Sequence, residues 1–145
     1  MNQMNQILRT GDQAIYFPQF GNATVVVMPG ILRGTANFQA AKTRVCVNGD
    51  EKSALVPGCP YVSPPYVIPG VGTLHVHLLS PNQLSKTTST SGRKIILKGD
   101  SFQARFDVTA PAFWPTEGGP VPDPTPLYFG RGQFQTTNYT VVFNK

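Results

Sequence analysis

The sequence predicts an all-β protein, and its composition carries that prediction. Glycine and proline each contribute 14 of the 145 residues, and the chain has no long run of Ala, Leu, Glu and Lys free of both, as a long helix needs. Valine, threonine and isoleucine add 34 β-branched residues, which favour strands. Hydrophobic residues reach 40%, enough for a core, and the length suits one domain over residues 1–145. We therefore expect a single domain of short strands joined by many turns.

The predicted strands are short runs between glycine and proline turns. A first strand is expected within GDQAIYF, residues 11–17, and a buried one over Ala23–Met28, which Pro29 and Gly30 end. Residues 36–41 are the one stretch that could hold a helical turn. The later strand-like runs are Arg44–Asn48, Thr73–Leu79, Arg93–Lys98, Phe102–Val108 and Gln133–Phe143.

Two proline-rich stretches separate these runs. Val56–Gly72 holds five prolines and three glycines and is expected to be a constrained, extended loop. Pro111–Pro126 holds six prolines in 16 residues. We therefore expect a core over about residues 20–110, followed by a proline-rich loop over 111–126 and a C-terminal strand within 127–145.

An internal repeat is the most informative feature of the chain. RVCVNGDEKSA begins at Arg44 and KIILKGDSFQA at Lys94, exactly 50 residues later. Both read basic, aliphatic, any, aliphatic, any, Gly, Asp, and both end in alanine. Glycine supplies the positive φ of a tight turn, and aspartate can accept backbone N–H bonds beside it. Each copy is predicted to be a β-hairpin, at about residues 44–55 and 94–108, with the two related by pseudo-symmetry.

The chain has two cysteines and two histidines, and all four fall within 32 residues. They are Cys46, Cys59, His75 and His77. Cys₂His₂ is a common ligand set for structural Zn²⁺, and residues two apart on a strand share one face, as His75 and His77 would. Their spacing matches no zinc-finger signature. A Cys46–Cys59 disulfide, or separate roles as a buried thiol and surface histidines, are the alternatives.

Charge and length exclude several classes of function. The net charge of +5 comes from 12 scattered Lys and Arg against 7 acidic residues, so no basic cluster indicates a nucleic-acid site. No apolar stretch approaches the roughly 20 residues that a membrane span needs. The N-terminal MNQMNQILRTGDQ lacks the apolar region of a secretion signal, so we expect synthesis in the cytoplasm. No nucleophile–base motif, paired-carboxylate pattern or phosphate loop is evident, so we expect neither catalytic nor cofactor-binding residues.

The middle of the chain resembles the PAAR and PAAR-like spike-tip family of contractile injection systems, which include type VI secretion systems, extracellular injection systems and phage tails. The resemblance rests on RVCVNGDEKSA and KIILKGDSFQARF, with Asn48-Gly49 as a turn and Ala104-Arg105 similar to the family's Ala-Arg. VPGCPY and IPGVGTLHVHL resemble the segments between its repeats. The likeness covers about residues 20–110; the chain has no literal Pro-Ala-Ala-Arg.

The resemblance implies a fold and a role. Family members form a small cone of β-hairpins on a three-sided base, with a metal near the apex that His and Cys hold. The base docks on a trimeric β-helical spike protein, one copy per trimer, and the tip contacts the target membrane transiently. It implies a non-enzymatic part of an injection particle that leaves the cell with that particle and can carry effectors. A ligand- or carbohydrate-binding β-sandwich, supported by Trp114, Phe113 and Tyr128, and another phage or particle structural protein are the alternative functions.

Overall fold

The structure is a computed structural model that describes residues 6–36, 39–40, 43–90 and 93–136. Strand makes up 61% of it, and the helical structure in those ranges is limited to two 3₁₀ turns, Asp50–Ala54 and Pro81–Gln83. The all-β prediction is confirmed. The composition explains the result, because no long run of strong helix formers is free of glycine and proline.

The described residues form fourteen strands. In chain order they are β1 Gln13–Tyr16, β2 Gln19–Phe20, β3 Ala23–Val25, β4 Gly30–Ile31, β5 Gln39–Ala40, β6 Thr43–Arg44, β7 Val56–Ser63, β8 Tyr66–Leu78, β9 Leu84–Thr90, β10 Arg93–Ile96, β11 Phe102–Ala110, β12 Phe113–Thr116, β13 Gly119–Pro122 and β14 Leu127–Gln135.

Ten of these strands make one antiparallel sheet that curls into a half-barrel. Along the sheet the strand order is β2-β3-β7-β8-β11-β14-β1-β4, and β12 pairs with the start of β8 and with β13. Two further hairpins, β5–β6 and β9–β10, stand apart from that sheet. The long central strands β8, β11 and β14 therefore connect the two ends of the molecule.

The core fills the concave face of the sheet and is rich in aromatic rings. Along β11 the buried residues Phe102, Ala104 and Phe106 alternate with partly exposed ones, as period-2 burial requires. Glycines on the neighbouring strands make room for these rings: a Cβ added at Gly72 would lie 2.4 Å from Cζ of Phe106. A side chain there would have to displace the ring, so this glycine is needed for packing.

The stretch Val56–Gly72 is not a loop, which corrects the expectation from its prolines. It forms β7 and the first half of β8. The prolines in these strands, such as Pro57, Pro60 and Pro69, are exposed. The β7–β8 register is interrupted at Pro57 and Pro69, whereas Pro60 is paired in register with Val71. Proline is tolerated in a strand where no ladder donor is needed, as at such irregular positions.

The segment after residue 110 is not a C-terminal extension. β14 lies inside the sheet between β11 and β1, and β12–β13 is a hairpin in which Pro115 faces Pro120. Asp123 fixes the connection between β13 and β14, because its carboxylate accepts hydrogen bonds from the Tyr61 hydroxyl at 2.8 Å and the Tyr128 hydroxyl at 2.6 Å. The proline-rich segment is thus part of the fold.

The other predicted elements divide into three groups. Strands are present in the runs predicted between residues 11 and 108 with two exceptions: the second is shorter, Ala23–Val25, and in Arg44–Asn48 only Arg44 belongs to a strand, while Val45 and Val47 form isolated bridges. Within the helical turn expected over residues 36–41, Gln39–Ala40 form a strand instead, and residues 37, 38 and 41 lie outside the described residues. Most of the final predicted run, residues 137–143, also lies outside them.

Candidate functional site

The two sequence repeats are equivalent in the structure, but they are not hairpins. After Gly49 the first copy enters the 3₁₀ turn Asp50–Ala54 and forms no return strand. The two copies pair with each other, through a bridge between Val47 and Ile95, and with the N-terminal segment. The hairpin prediction was wrong because each copy satisfies its backbone groups across to other segments and not within itself.

Three segments close into a ring. They are residues 6–10, 44–48 and 94–98, called here the ring. The end of each segment bridges the start of the next, through Arg9 to Val45, Val47 to Ile95 and Leu97 to Ile7. Three segments joined head to tail in this way trace a triangle, which is the geometry of a pseudo-three-fold axis.

The backbone hydrogen bonds of the ring repeat that symmetry. At its middle, the N–H of Leu8 donates to Ile96, that of Ile96 to Cys46 and that of Cys46 to Leu8, over 2.9 to 3.1 Å. At its corners, three further bonds of 2.7 to 2.9 Å are equivalent to one another: Thr10 to Arg44, Asn48 to Lys94 and Lys98 to Gln6. All six bonds join residues that are equivalent under one cyclic permutation of the three segments.

The ring identifies a third repeat that the sequence analysis missed. Residues 6–12 read QILRTGD, so Gly11-Asp12 is equivalent to Gly49-Asp50 and Gly99-Asp100. All three glycines have positive φ, of 97°, 107° and 56°. Gly-Asp occurs three times in the chain, and that dipeptide was the signal available. This dipeptide does not predict a third repeat by itself, because Gly11 lies 38 residues before Gly49 instead of 50. In addition, Arg9 stands where the other two copies have an aliphatic residue.

At two of the three corners an aspartate carboxylate accepts a hydrogen bond from a backbone N–H. Asp12 accepts the N–H of Arg9, and Asp50 accepts that of Val47, both at 2.8 Å. Both of these aspartates are buried. Asp100 is exposed, and there the equivalent N–H, of Leu97, donates to the carbonyl of Gln83 instead. The three-fold relation is thus kept in the backbone while one corner uses a different partner.

The ring separates two apolar clusters. Leu8, Cys46 and Ile96 belong to the main core under the sheet. Their neighbours along each segment, among them Ile7, Val45 and Ile95, form a second buried cluster. Since alternate residues of an extended segment point in opposite directions, the two clusters lie on opposite faces of the ring.

The four residues predicted to bind zinc do not meet. Cys46 and Cys59 are buried in the main core, and both thiols are free. His75 and His77 alternate along β8 with the buried Leu74 and Val76, so they lie on the outer face of the sheet. The sheet itself therefore lies between the histidines and the thiols.

The environment of both thiols favours their neutral form. Burial raises the pKa of Cys46, and the carboxylates of Asp50, Asp12 and Glu51 raise it further. Burial likewise raises the pKa of Cys59, against a smaller lowering by the backbone N–H of Met28. Among the residues that the structure describes, no three His, Cys, Asp or Glu side chains are grouped to hold a metal.

The outer-face histidines belong to a charged cluster on β8 and β11. Asp107 binds Arg105 through two bonds, of 2.8 Å from Nε and 3.0 Å from Nη2, and lies 3.2 Å from Nε2 of His75. Nη1 of Arg105 is 3.4 Å from Nδ1 of His77, whose ring packs against Phe129 with centroids 5.2 Å apart. Burial lowers the pKa of His75, Asp107 raises it and Arg105 lowers it, with a net lowering.

A shallow cavity of about 430 Å³ opens over this cluster. Lys52 and Leu55 line it together with His75, Val76, His77 and Arg105. The lining offers bases and cations, but these described residues include no serine, threonine or cysteine that a histidine could activate. Asp107 pairs with Arg105 and also contacts His75, so its charge offsets that of Arg105.

The ring is the arrangement that defines a class: a compact all-β domain that presents a pseudo-three-fold element from one chain. Comparison with known proteins identifies that class, since the model of the contractile injection system spike tip proteins matches residues 1–144. The chain belongs to the family of contractile injection system spike tip proteins. No curated protein matches it.

The family membership decides between the functions left open by the sequence. It makes the chain a structural component that associates with an injection system, and it favours neither the ligand-binding β-sandwich nor an unrelated particle protein. Within the described ranges, no helix has the length and apolar character needed to span a bilayer.

Proposed function

We propose that this protein is a non-enzymatic tip that caps a trimeric β-helical spike, with one copy per spike trimer. The ring is the observation that supports this proposal. A three-fold partner has three identical chain ends, and a single chain can match them only if it offers three equivalent surfaces. The six symmetric backbone bonds make residues 6–10, 44–48 and 94–98 equivalent in backbone geometry, which supports a docking element of three-fold character.

The face of the ring with the second apolar cluster is the proposed base. Two hairpins, β5–β6 and β9–β10, lead directly into the ring segments at Arg44 and Lys94. In each hairpin the first strand, β5 or β9, pairs with the strand that enters the ring, so its other edge can pair with a strand of a partner. The spike's last strands would otherwise end in unpaired backbone groups, which docking would satisfy.

The opposite end of the molecule is the proposed leading end. β8 and β11 extend from the ring side, where Leu78 faces Gln103, to the far side, where Val71 faces Ala110. Nine residues of extended strand, Phe102–Ala110, span about 26 Å at a rise of about 3.3 Å per residue. The far side would meet the target envelope when the spike advances, and the tip would leave the producing cell as part of the particle.

The stoichiometry of the complex tests this proposal. The protein is mixed with its candidate spike, and native mass spectrometry weighs the product. One tip per spike trimer is the expected result, because three equivalent surfaces on one chain fill all three sites. Three tips per trimer, or no complex at all, would refute the proposed docking.

A further inference from the structure

The end of the molecule farthest from the ring carries an exposed apolar surface. Its members are large hydrophobic side chains that are 37% to 52% exposed, namely Val67, Ile68, Val71, Trp114 and Val121, called here the apical patch. They come from the start of β8 and from the hairpin β12–β13. Cross-strand pairing holds them together, since Phe113 faces Ile68 and Trp114 faces Val121.

The sequence around the apical patch is almost free of charge. Residues 56–72 contain no Asp, Glu, Lys or Arg, and residues 108–122 contain one, Glu117. The chain has 19 such residues in all, so their absence from both stretches is a property of this end. The prolines in these stretches do what charged side chains do at other exposed strand ends: they prevent pairing with the strands of other chains.

The shape of the apical patch distinguishes a lipid surface from a protein partner. Ile68 and Phe113 lie opposite each other and share a face, whereas Trp114 is the next residue after Phe113 and points to the other face. The apolar surface therefore wraps around the strand ends instead of covering one flat side. A specific protein interface needs about 800 Å² and 20 to 30 residues on each partner, which five side chains around a narrow tip do not provide.

Trp114 is positioned as an interfacial anchor. Its ring meets that of Tyr66 edge to face, with centroids 6.2 Å apart, so the indole is held at the surface. Tryptophan and tyrosine concentrate at membrane–water interfaces because their rings combine an apolar body with a polar N–H or O–H. Both rings lie beside the apolar residues that would enter the acyl region.

We propose that the apical patch partitions into the interface of a lipid bilayer, with Val67, Ile68, Trp114 and Val121 below the headgroups. This inference rests on the proposed function in that it assigns the leading end its partner. It adds that the contact is an equilibrium adhesion, so that the isolated protein binds lipid without any contractile force. Glu117, in the turn of β12–β13, opposes the insertion.

The single tryptophan of the chain makes the test direct. The full-length protein is titrated with zwitterionic phosphatidylcholine vesicles, and the emission of Trp114 is followed together with its quenching by acrylamide. We expect a blue shift and at least a threefold drop in quenching. No shift at saturating lipid would overturn the proposal and leave the patch to a protein partner, while the stoichiometry with the spike would be unaffected.

Three variants sharpen the test, and circular dichroism checks that each is folded. Val67→Ser combined with Ile68→Ser should weaken vesicle binding at least tenfold, because each lost buried methylene weakens partition severalfold. Glu117→Gln should strengthen binding at least twofold, an effect that a loss of fold cannot mimic. Phe129→Ser is the matched control, since Phe129 is 46% exposed but lies mid-sheet opposite Arg105. An equal loss of binding in this control would contradict the proposal.

Discussion

Removing the aspartate from each corner of the ring tests whether the three repeats are equivalent in structure but different in stability. Asp50 is buried, and its carboxylate accepts the N–H of Val47 at 2.8 Å and the N–H of Thr35 at 2.9 Å. It also accepts the hydroxyl of Thr35 at 2.8 Å. Asp50→Ala would leave two backbone donors without their acceptor at a corner where water has little access.

The structure gives the expected magnitude. A hydrogen bond to a charged group contributes about 1.5 to 3 kcal/mol, and an unsatisfied buried donor costs about 1 to 3 kcal/mol. Because the bonds share one acceptor they do not add fully, and we expect Asp50→Ala to lower the free energy of unfolding by about 3 kcal/mol. For a domain of this size that corresponds to a fall in Tm of about 10 °C.

Asp100→Ala is the matched control, because the residue occupies the same place in the repeat. Asp100 is exposed, and the corner N–H of Leu97 donates to the carbonyl of Gln83 instead. Its removal should change the free energy of unfolding by no more than about 0.5 kcal/mol. Asp12→Ala should also destabilise the fold, though less than Asp50→Ala, since Asp12 is buried and accepts the N–H of Arg9.

Urea unfolding followed by circular dichroism measures the three changes. The expected order is a large loss for Asp50→Ala, a smaller but clear loss for Asp12→Ala and almost none for Asp100→Ala. Equal losses for Asp50→Ala and Asp100→Ala would refute the argument, because they would show that the turn sequence matters and the buried corner bonds do not.

Three further predictions concern pH, docking and metal. Burial raises the pKa of Asp123, but the hydrogen bonds that it accepts outweigh that effect and lower the pKa. The stabilisation by this carboxylate is therefore full above its ordinary pKa and is lost as the pH falls through the pKa of the folded state. In a melting series from pH 6 to pH 2, the difference in Tm between wild type and Asp123→Asn should close at the acid end. Lys94→Glu, at the start of a ring segment, should weaken spike binding at least tenfold by surface plasmon resonance, whereas Arg131→Glu on β14 should leave it unchanged. Zinc binding stays a prediction from the sequence. If the sheet separates the four predicted ligands as in the structure of the single chain, metal analysis of the purified protein should find less than one equivalent of zinc. One full equivalent that His75→Ala removes would contradict that separation.

The fold class was predictable because it depends on composition, and the strand positions largely followed. The strands within the proline-rich stretch Val56–Gly72 were not predictable, because proline usually interrupts a strand. In the structure Pro57 and Pro69 are exposed where the β7–β8 register is interrupted, and a missing N–H is tolerated there. Sequence alone cannot tell which proline N would have faced a neighbouring strand, since that depends on the register between β7 and β8.

The predicted metal site shows a different limit of sequence reasoning. Closeness along the chain placed Cys46, Cys59, His75 and His77 together, but the same alternation that gives His75 and His77 one face also gives Leu74 and Val76 the other. Cys59 lies with Leu74 and Val76 in the main core. The structure places the predicted ligands on different faces of the sheet, and only the pairing of β7 with β8 fixes those faces.

The ring shows how one chain can acquire three-fold character with little sequence symmetry. Its equivalence resides in backbone hydrogen bonds, which any residue except proline can donate, so the side chains are free to diverge. Leu8, Cys46 and Ile96 occupy one equivalent position and share only burial. What each copy must keep is the glycine with positive φ that turns the chain out of the ring, as at Gly11, Gly49 and Gly99. The three copies therefore agree at the glycine that the backbone requires and differ at most other positions. For this reason the sequence reveals two copies, and only the hydrogen bonds reveal the third.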